Sequence, residues 1–169
     1  FRETSNFGPL ALTNAFADTS DMCLVKYDPA GNPVWARRAG GISTDSAKAL
    51  AVDASGNVYV AGDFSGTASF GTNVFTSSGT EDMFLLKYDP AGNLLWARKG
   101  GGSGHDFGLG LAAGSNYCYV AGTYQNVAAF SGTNVSTAGG YDIFIAKYDG
   151  AGNFLWIQSA GGAGNDQAL

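Results

Sequence analysis

Residues 82–101 read DMFLLKYDPAGNLLWARKGG, and the fold turns on how that stretch is read. It occurs three times. Residues 21–40 read DMCLVKYDPAGNPVWARRAG and residues 142–161 read DIFIAKYDGAGNFLWIQSAG, so the copies start 61 and 60 residues apart. A long fixed period sets the architecture before any local feature does. Each copy opens with an apolar run of strand length, such as 22–27, as a strand covered on both faces requires. Asp28-Pro29-Ala30-Gly31-Asn32 follows. Pro presets φ, Asp accepts N–H groups of its own turn, and Gly31 supplies positive φ. Together they predict a type I turn closed by a G1 bulge. The return strand covers 33–38. Pro33 places it at a sheet edge, which Arg37 and Arg38 are expected to blunt. Asp89, Gly92 and Trp96, then Asp149, Gly152 and Trp156, repeat the positions of Asp28, Gly31 and Trp35. All nine are read as structural.

Outward from this hairpin a second one appears. Residues 47–53 alternate Ala47, Ala49 and Ala51 with Lys48, Leu50 and Val52, and the next copy alternates Gly108, Gly110 and Ala112 with Leu109 and Leu111. One side of this strand must be crowded. The turn 53–57 and the partner strand 58–62 complete the hairpin; in the later copy the turn shortens to Gly114-Ser115-Asn116. A connector rich in Gly, Ser, Thr and Asn, 63–81, leads to the next copy. Residues 1–20 are a degenerate copy of that connector, with Phe1 on Phe64 and Phe7-Gly8 on Phe70-Gly71.

Each period is thus four short strands, A to D, in two hairpins, with no helical pattern. A lone four-stranded sheet cannot bury both faces. Radial stacking of such sheets gives an all-β propeller of antiparallel blades. The crowded strand A belongs at the axis and the Trp strand D at the rim. The expected division is a partial blade at 1–41, whole blades at 42–102 and 103–162, and the start of another at 163–169, about 2.8 repeats in all. Ring closure needs about four blades, so the 169 residues read as an excerpt of a longer chain.

The peptides GGSGHDFGLGLAAG (101–114), NVYVAG (57–62) and DMFLLKYDPAGNLLWARKGG (82–101) together resemble the SBBP repeat, the seven-bladed β-propeller repeat family of bacterial secreted and cell-surface proteins. The resemblance covers essentially the whole chain. It implies a propeller and an extracellular setting, and no particular chemistry.

Composition narrows the partners. The net charge is −5 with only 14% charged residues, which argues against nucleic acid and against a polybasic membrane patch. No apolar run approaches the roughly 18 residues of a membrane span, and the N-terminus does not read as a signal peptide. Cys23 and Cys118 sit at different places in the repeat and read as free thiols, a disulfide between them being the alternative.

In an antiparallel blade the A–B and C–D turns share one face, and the B–C and D–A connections share the other. The first set is tight and the second long and polar, so the second is the expected binding face. There Asp21, Asp82 and Asp142 open strand C, and Asp45, Asp106 and Asp166 close the D–A loop. They are read as acceptors of loop N–H groups, because one carboxylate per loop is thin for calcium. Lys26, Lys87 and Lys147 are read as packed stems whose heads reach water or the turn Asp. His105, the one histidine, has Thr44 and Asn165 at its equivalent positions. Metal-ligand spacing, a G-x-S-x-G elbow and a phosphate loop are all lacking.

The expectation is a non-catalytic extracellular scaffold, without cofactor or metal, that binds protein through self-association or other surface proteins. The alternative is a glycan-binding propeller with Asp63, His105, Asp106 and Tyr124 as contacts. The third reading is the propeller part of an enzyme whose catalytic residues lie elsewhere.

Overall fold

The computed structural model describes residues 1–14, 16 and 19–167 and is built of β-strands. In chain order, β1 (Thr4–Phe7) and β2 (Leu10–Thr13) form one hairpin, and β3 (Met22–Tyr27) and β4 (Pro33–Gly41) form the next. Then come β5 (Asp45–Val52), β6 (Val58–Phe64), β7 (Thr67–Phe70), β8 (Asn73–Thr76), β9 (Asp82–Tyr88) and β10 (Leu94–Gly102). The last four are β11 (Phe107–Ala113), β12 (Tyr117–Phe130), β13 (Thr133–Asp149) and β14 (Phe154–Ala160). Strands β5, β6, β9 and β10 pair antiparallel in that order as one blade, and β11 to β14 form the next. Strands β3 and β4 are the C and D strands of the blade before them. Residues 161–167 carry no strand, and 168–169 of the expected next strand lie outside the described residues.

The blades bury their sheets against one another. Along β6, Val58, Val60 and Phe64 face Met22, Leu24 and Trp35 of the preceding blade. Tyr59 and Ala61, on the opposite face, meet Cys118, Val120 and Tyr148 of the following one. Strand β9 divides likewise, Phe84 and Leu86 one way, Met83 and Leu85 the other. This is why the strand reads as an unbroken apolar run. Cys118 lies buried in the second core, and both cysteines are free. The small residues of strand A meet the adjoining blade: a Cβ on Gly108 would stand 3.2 Å from Cβ of Ala61.

The connector differs from the loop expected. Residues 67–76 are the hairpin β7–β8, with Thr67 Oγ1 3.0 Å from Thr76 Oγ1 across it. The degenerate copy does the same, with Thr4 Oγ1 3.0 Å from Thr13 Oγ1. In the third copy β12 and β13 run straight into that hairpin, with an irregularity between Gln125 and Val127. Its first arm reaches back and pairs with strand D of the preceding blade. Gly40 and Gly41 lie opposite Ser69 and Ala68; Gly100, Gly101 and Gly102 lie opposite Phe130, Ala129 and Ala128. A side chain there has no room, since a Cβ on Gly41 would meet the Thr67 carbonyl and one on Gly102 the Val127 carbonyl. The connector reads as a loop because the glycines that admit its close backbone approach lie elsewhere, in strand D of the preceding blade.

Candidate functional site

Two regions bring polar side chains together: the seam between blades along the C–D turns, and a cleft on the B–C and D–A face. The seam follows from the turn. Asp28 Oδ1 accepts from the N–H groups of Ala30 and Asn32 at 2.9 and 2.8 Å, and Asn32 Nδ2 donates to Oδ2 at 3.0 Å. Asp89 and Asp149 do the same with Asn93 and Asn153. The Asn side-chain bond is the main cause that holds all three carboxyls below the usual range. With the N–H groups engaged inward, the turn carbonyls point out, and the preceding blade donates to them.

Lys26 Nζ and Trp35 Nε1 donate to the Pro90 carbonyl at 2.9 and 3.1 Å, and Arg37 Nε donates to that of Gly92 at 2.6 Å. One repeat on, Lys87 Nζ and Trp96 Nε1 donate to Gly150 at 2.9 and 3.1 Å, and Arg98 Nε to Gly152 at 2.7 Å. These contacts correct two expectations. The heads of Lys26 and Lys87 clamp carbonyls of the neighbouring turn rather than reaching water or the turn Asp, and Arg37 bonds that turn rather than shielding an edge. Its neighbour Arg38 is 2.7 Å from Asp21. Trp35 and Trp96 are buried in the blade interfaces, as packing residues.

On the other face the D–A loop is tied to the strand-C entry of the blade it leaves. Asp106 N donates to the Glu81 carbonyl at 2.9 Å, Asp45 N to Ser20 at 2.7 Å and Asp166 N to Tyr141 at 2.7 Å. Asp45, Asp106 and Asp166 accept from the N–H of Gly41, Gly102 and Gly162 at 2.8, 2.7 and 2.8 Å. Burial raises the carboxyls of Asp45 and Asp106 to about 7. Asp82 accepts from Ser78 N at 3.1 Å and pairs with Lys99 at 3.0 Å.

The residues named as ligand contacts part company here. Asp63, Asp106 and Tyr124 are buried. Burial raises Asp63 to about 6 against the opposing charge of Lys48, whose Nζ is 3.5 Å away. Tyr124 donates to the Ser136 carbonyl at 3.0 Å, and Asp106 closes its own loop. His105 alone is at the surface, its Nδ1 2.6 Å from Glu81 Oε2. Its ring lies 5.9 Å from Phe107 and 6.3 Å from Tyr141, and those two rings stack at 26°. Beside them Lys48, Phe107, Leu109, Thr123, Tyr141 and Gln167 line a cleft of about 340 Å³. Phe107, Tyr141, Lys48 and Gln167 carried no sequence signal, because their equivalents in the other repeats differ. The Lys-Trp-Arg clamp did carry one: its Lys and Trp recur in all three copies and its Arg in two, with the same period as the turn they grip. Among the described residues no group of three or more His, Cys, Asp or Glu side chains is placed to hold a metal, and no helix is long and apolar enough to cross a membrane.

A family model described as a beta-propeller repeat, SBBP, matches residues 34–63, which span strand D of one blade and strands A and B of the next. The chain carries an SBBP β-propeller repeat. Curated relatives repeat the likeness over most of the chain. It is 30% identical over 172 residues to an uncharacterized WD repeat-containing protein, L264, of Acanthamoeba polyphaga mimivirus, covering 86% of this chain and 12% of that protein. It is 36% identical over 157 residues to the regulatory protein FlaEY of Caulobacter vibrioides, covering 87% of this chain and 16% of that one. The SBBP segment therefore spans a small fraction of the length of the relatives it matches.

Proposed function

We propose that this SBBP chain is a non-catalytic scaffold of a secreted or cell-surface protein, and that its repeats hold proteins together. The partners are other surface proteins or further copies of the chain. One observation carries the reading: wherever two blades meet, the polar residues that recur with the repeat are engaged in bonds that build the stack. The turn Asp and Asn close the turn, and Lys, Trp and Arg grip the neighbouring turn. What is left for function is surface, mildly acidic and mostly neutral, on a rigid frame. The relatives named as WD repeat-containing and as regulatory support an interaction role. A photo-cross-linker in place of Tyr141, used in the producing cell, is expected to give a defined adduct with a surface protein. Adducts confined to cytoplasmic proteins would overturn the reading.

The second reading is glycan binding, and the cleft beside the Phe107–Tyr141 stack favours it. Aromatic faces beside Lys48, Gln167 and the His105–Glu81 pair suit a sugar ring and its hydroxyls. A glycan array at millimolar concentration decides this. Saturable binding that Tyr141→Ala abolishes supports it, and an array without binding removes it.

A further inference from the structure

The cleft beside the Phe107–Tyr141 stack has one charged wall. Phe107, Leu109, Thr123, Tyr141 and Gln167 are neutral, and the remaining lining residue is Lys48, on strand A of the blade before. A cation there runs against the net charge of −5. The fold does not require it. Lys48 has Leu109 as its counterpart one repeat on, and Asp63, its ion-pair partner, has Thr123. The two positions change together, from a charged pair in one blade to an apolar residue and a hydroxyl in the next.

The pairing leaves Lys48 available to a ligand. Its Nζ stands 3.5 Å from Asp63 Oδ1, longer than a close charge-assisted hydrogen bond. The Asp63 side chain is 6% exposed and lies outside the cleft lining, whereas that of Lys48 is 42% exposed. Glu81, a second carboxylate nearby, is held by His105 at 2.6 Å. The cleft also stays accessible within a stack of blades. Gln167 already stands where the following blade's counterpart of Phe107 belongs. Glu81, the counterpart of Tyr141, keeps a 30% exposed side chain although the whole third blade stands beyond it.

We propose that the cleft selects an acidic sugar, a uronic acid unit of a polysaccharide, over its neutral counterpart. The apolar face of the pyranose lies on the Tyr141 and Phe107 rings, whose planes are 26° apart. The carboxylate reaches the Lys48 ammonium, and ring hydroxyls are left for the Gln167 amide. Ring contact supplies affinity common to both sugars, and the single cation supplies the difference between them. The inference rests on the glycan reading and adds a substrate class to it.

Calorimetric titration of the chain with matched trimers tests this. Uronic acid trimers are compared at low salt with neutral trimers of the same configuration and linkage, in the gluco, galacto and manno series. In at least one series the acidic trimer should bind about tenfold more tightly, and the gap should shrink as salt is raised. Lys48→Leu combined with Asp63→Thr installs the pair that the next repeat already carries. It removes the cation without stranding a buried carboxylate, and should bring the two affinities together. Tyr141→Ala should abolish binding of both. Equal or weaker affinity for the acidic trimer in every series, or a preference for acid that survives in the double variant, overturns acid selection and leaves the glycan reading standing. Binding of neither set at millimolar concentration removes both.

Discussion

Gly92 and Gly31 share a backbone conformation, φ +81° and +83°, and differ in what surrounds them. Both replace a strained L-residue, a cost of about 1–2 kcal/mol. Only Gly92 also lies under a Trp35 ring, where a methyl forces repacking at about 1–3 kcal/mol more. Gly92→Ala should therefore destabilise by about 2–4 kcal/mol, and Gly31→Ala by about half that. Urea unfolding of the two variants checks it; equal losses would show that the ring contact contributes nothing. At this scale the sequence disclosed the inside of the turn well. The D-x-x-G-N spacing implies the Asp28 bonds to Ala30 and Asn32 that the structure contains. The outside of the turn stayed hidden, because its acceptors are backbone carbonyls that any residue supplies. Only the recurrence of Lys87, Trp96 and Arg98 in step with the turn pointed to them.

Strand identity was legible where side chains alternate between two cores or crowd an axis, as in β6, β9 and β11. The connector was not, since Thr67, Ala68, Ser69 and Gly71 have the composition of a loop. What makes them a hairpin is distant: Gly41 leaves space for β7 to pair with the preceding blade, and Phe70 anchors the arm. Phe70 is fully buried, with its ring 5.0 Å from Phe84, 5.6 Å from Phe64 and 5.6 Å from Phe75. Phe70→Ala should cost about 3–5 kcal/mol, the ordinary loss for a large aromatic cut from a core. A loop residue would cost a few tenths. Thermal unfolding by circular dichroism separates these outcomes and so tests whether the connector is a working part of the blade.

The stack as a whole was readable because apolar residues on both faces of a strand demand a neighbour on each side. The candidate ligand contacts were not, because recurrence and polarity alone cannot separate a buried acceptor such as Asp106 from a surface group such as His105. That burial has a consequence for the whole molecule. Asp45 and Asp106 are raised to about 7, chiefly by burial, with Asp21 and Asp82 as charged neighbours. An unfolded Asp titrates near 3.8, so between about 4 and 7 the native protein holds protons that the unfolded chain has lost. Their contribution to stability is complete below 3.8 and is lost as pH rises toward 7. The turn carboxyls Asp28, Asp89 and Asp149 act in the opposite direction: lowered by their Asn partners, they stabilise above 3.8 and lose that effect as pH falls below it. Stability should therefore peak at mildly acid pH, with a urea midpoint higher at pH 5 than at pH 8. Asp45→Asn and Asp106→Asn keep a carbonyl acceptor for Gly41 and Gly102 but cannot titrate, so together they should remove most of that difference. A midpoint that rises from pH 5 to pH 8 in the native chain would mean that these two carboxyls are ionised in the fold, and that their burial does not govern its response to acid.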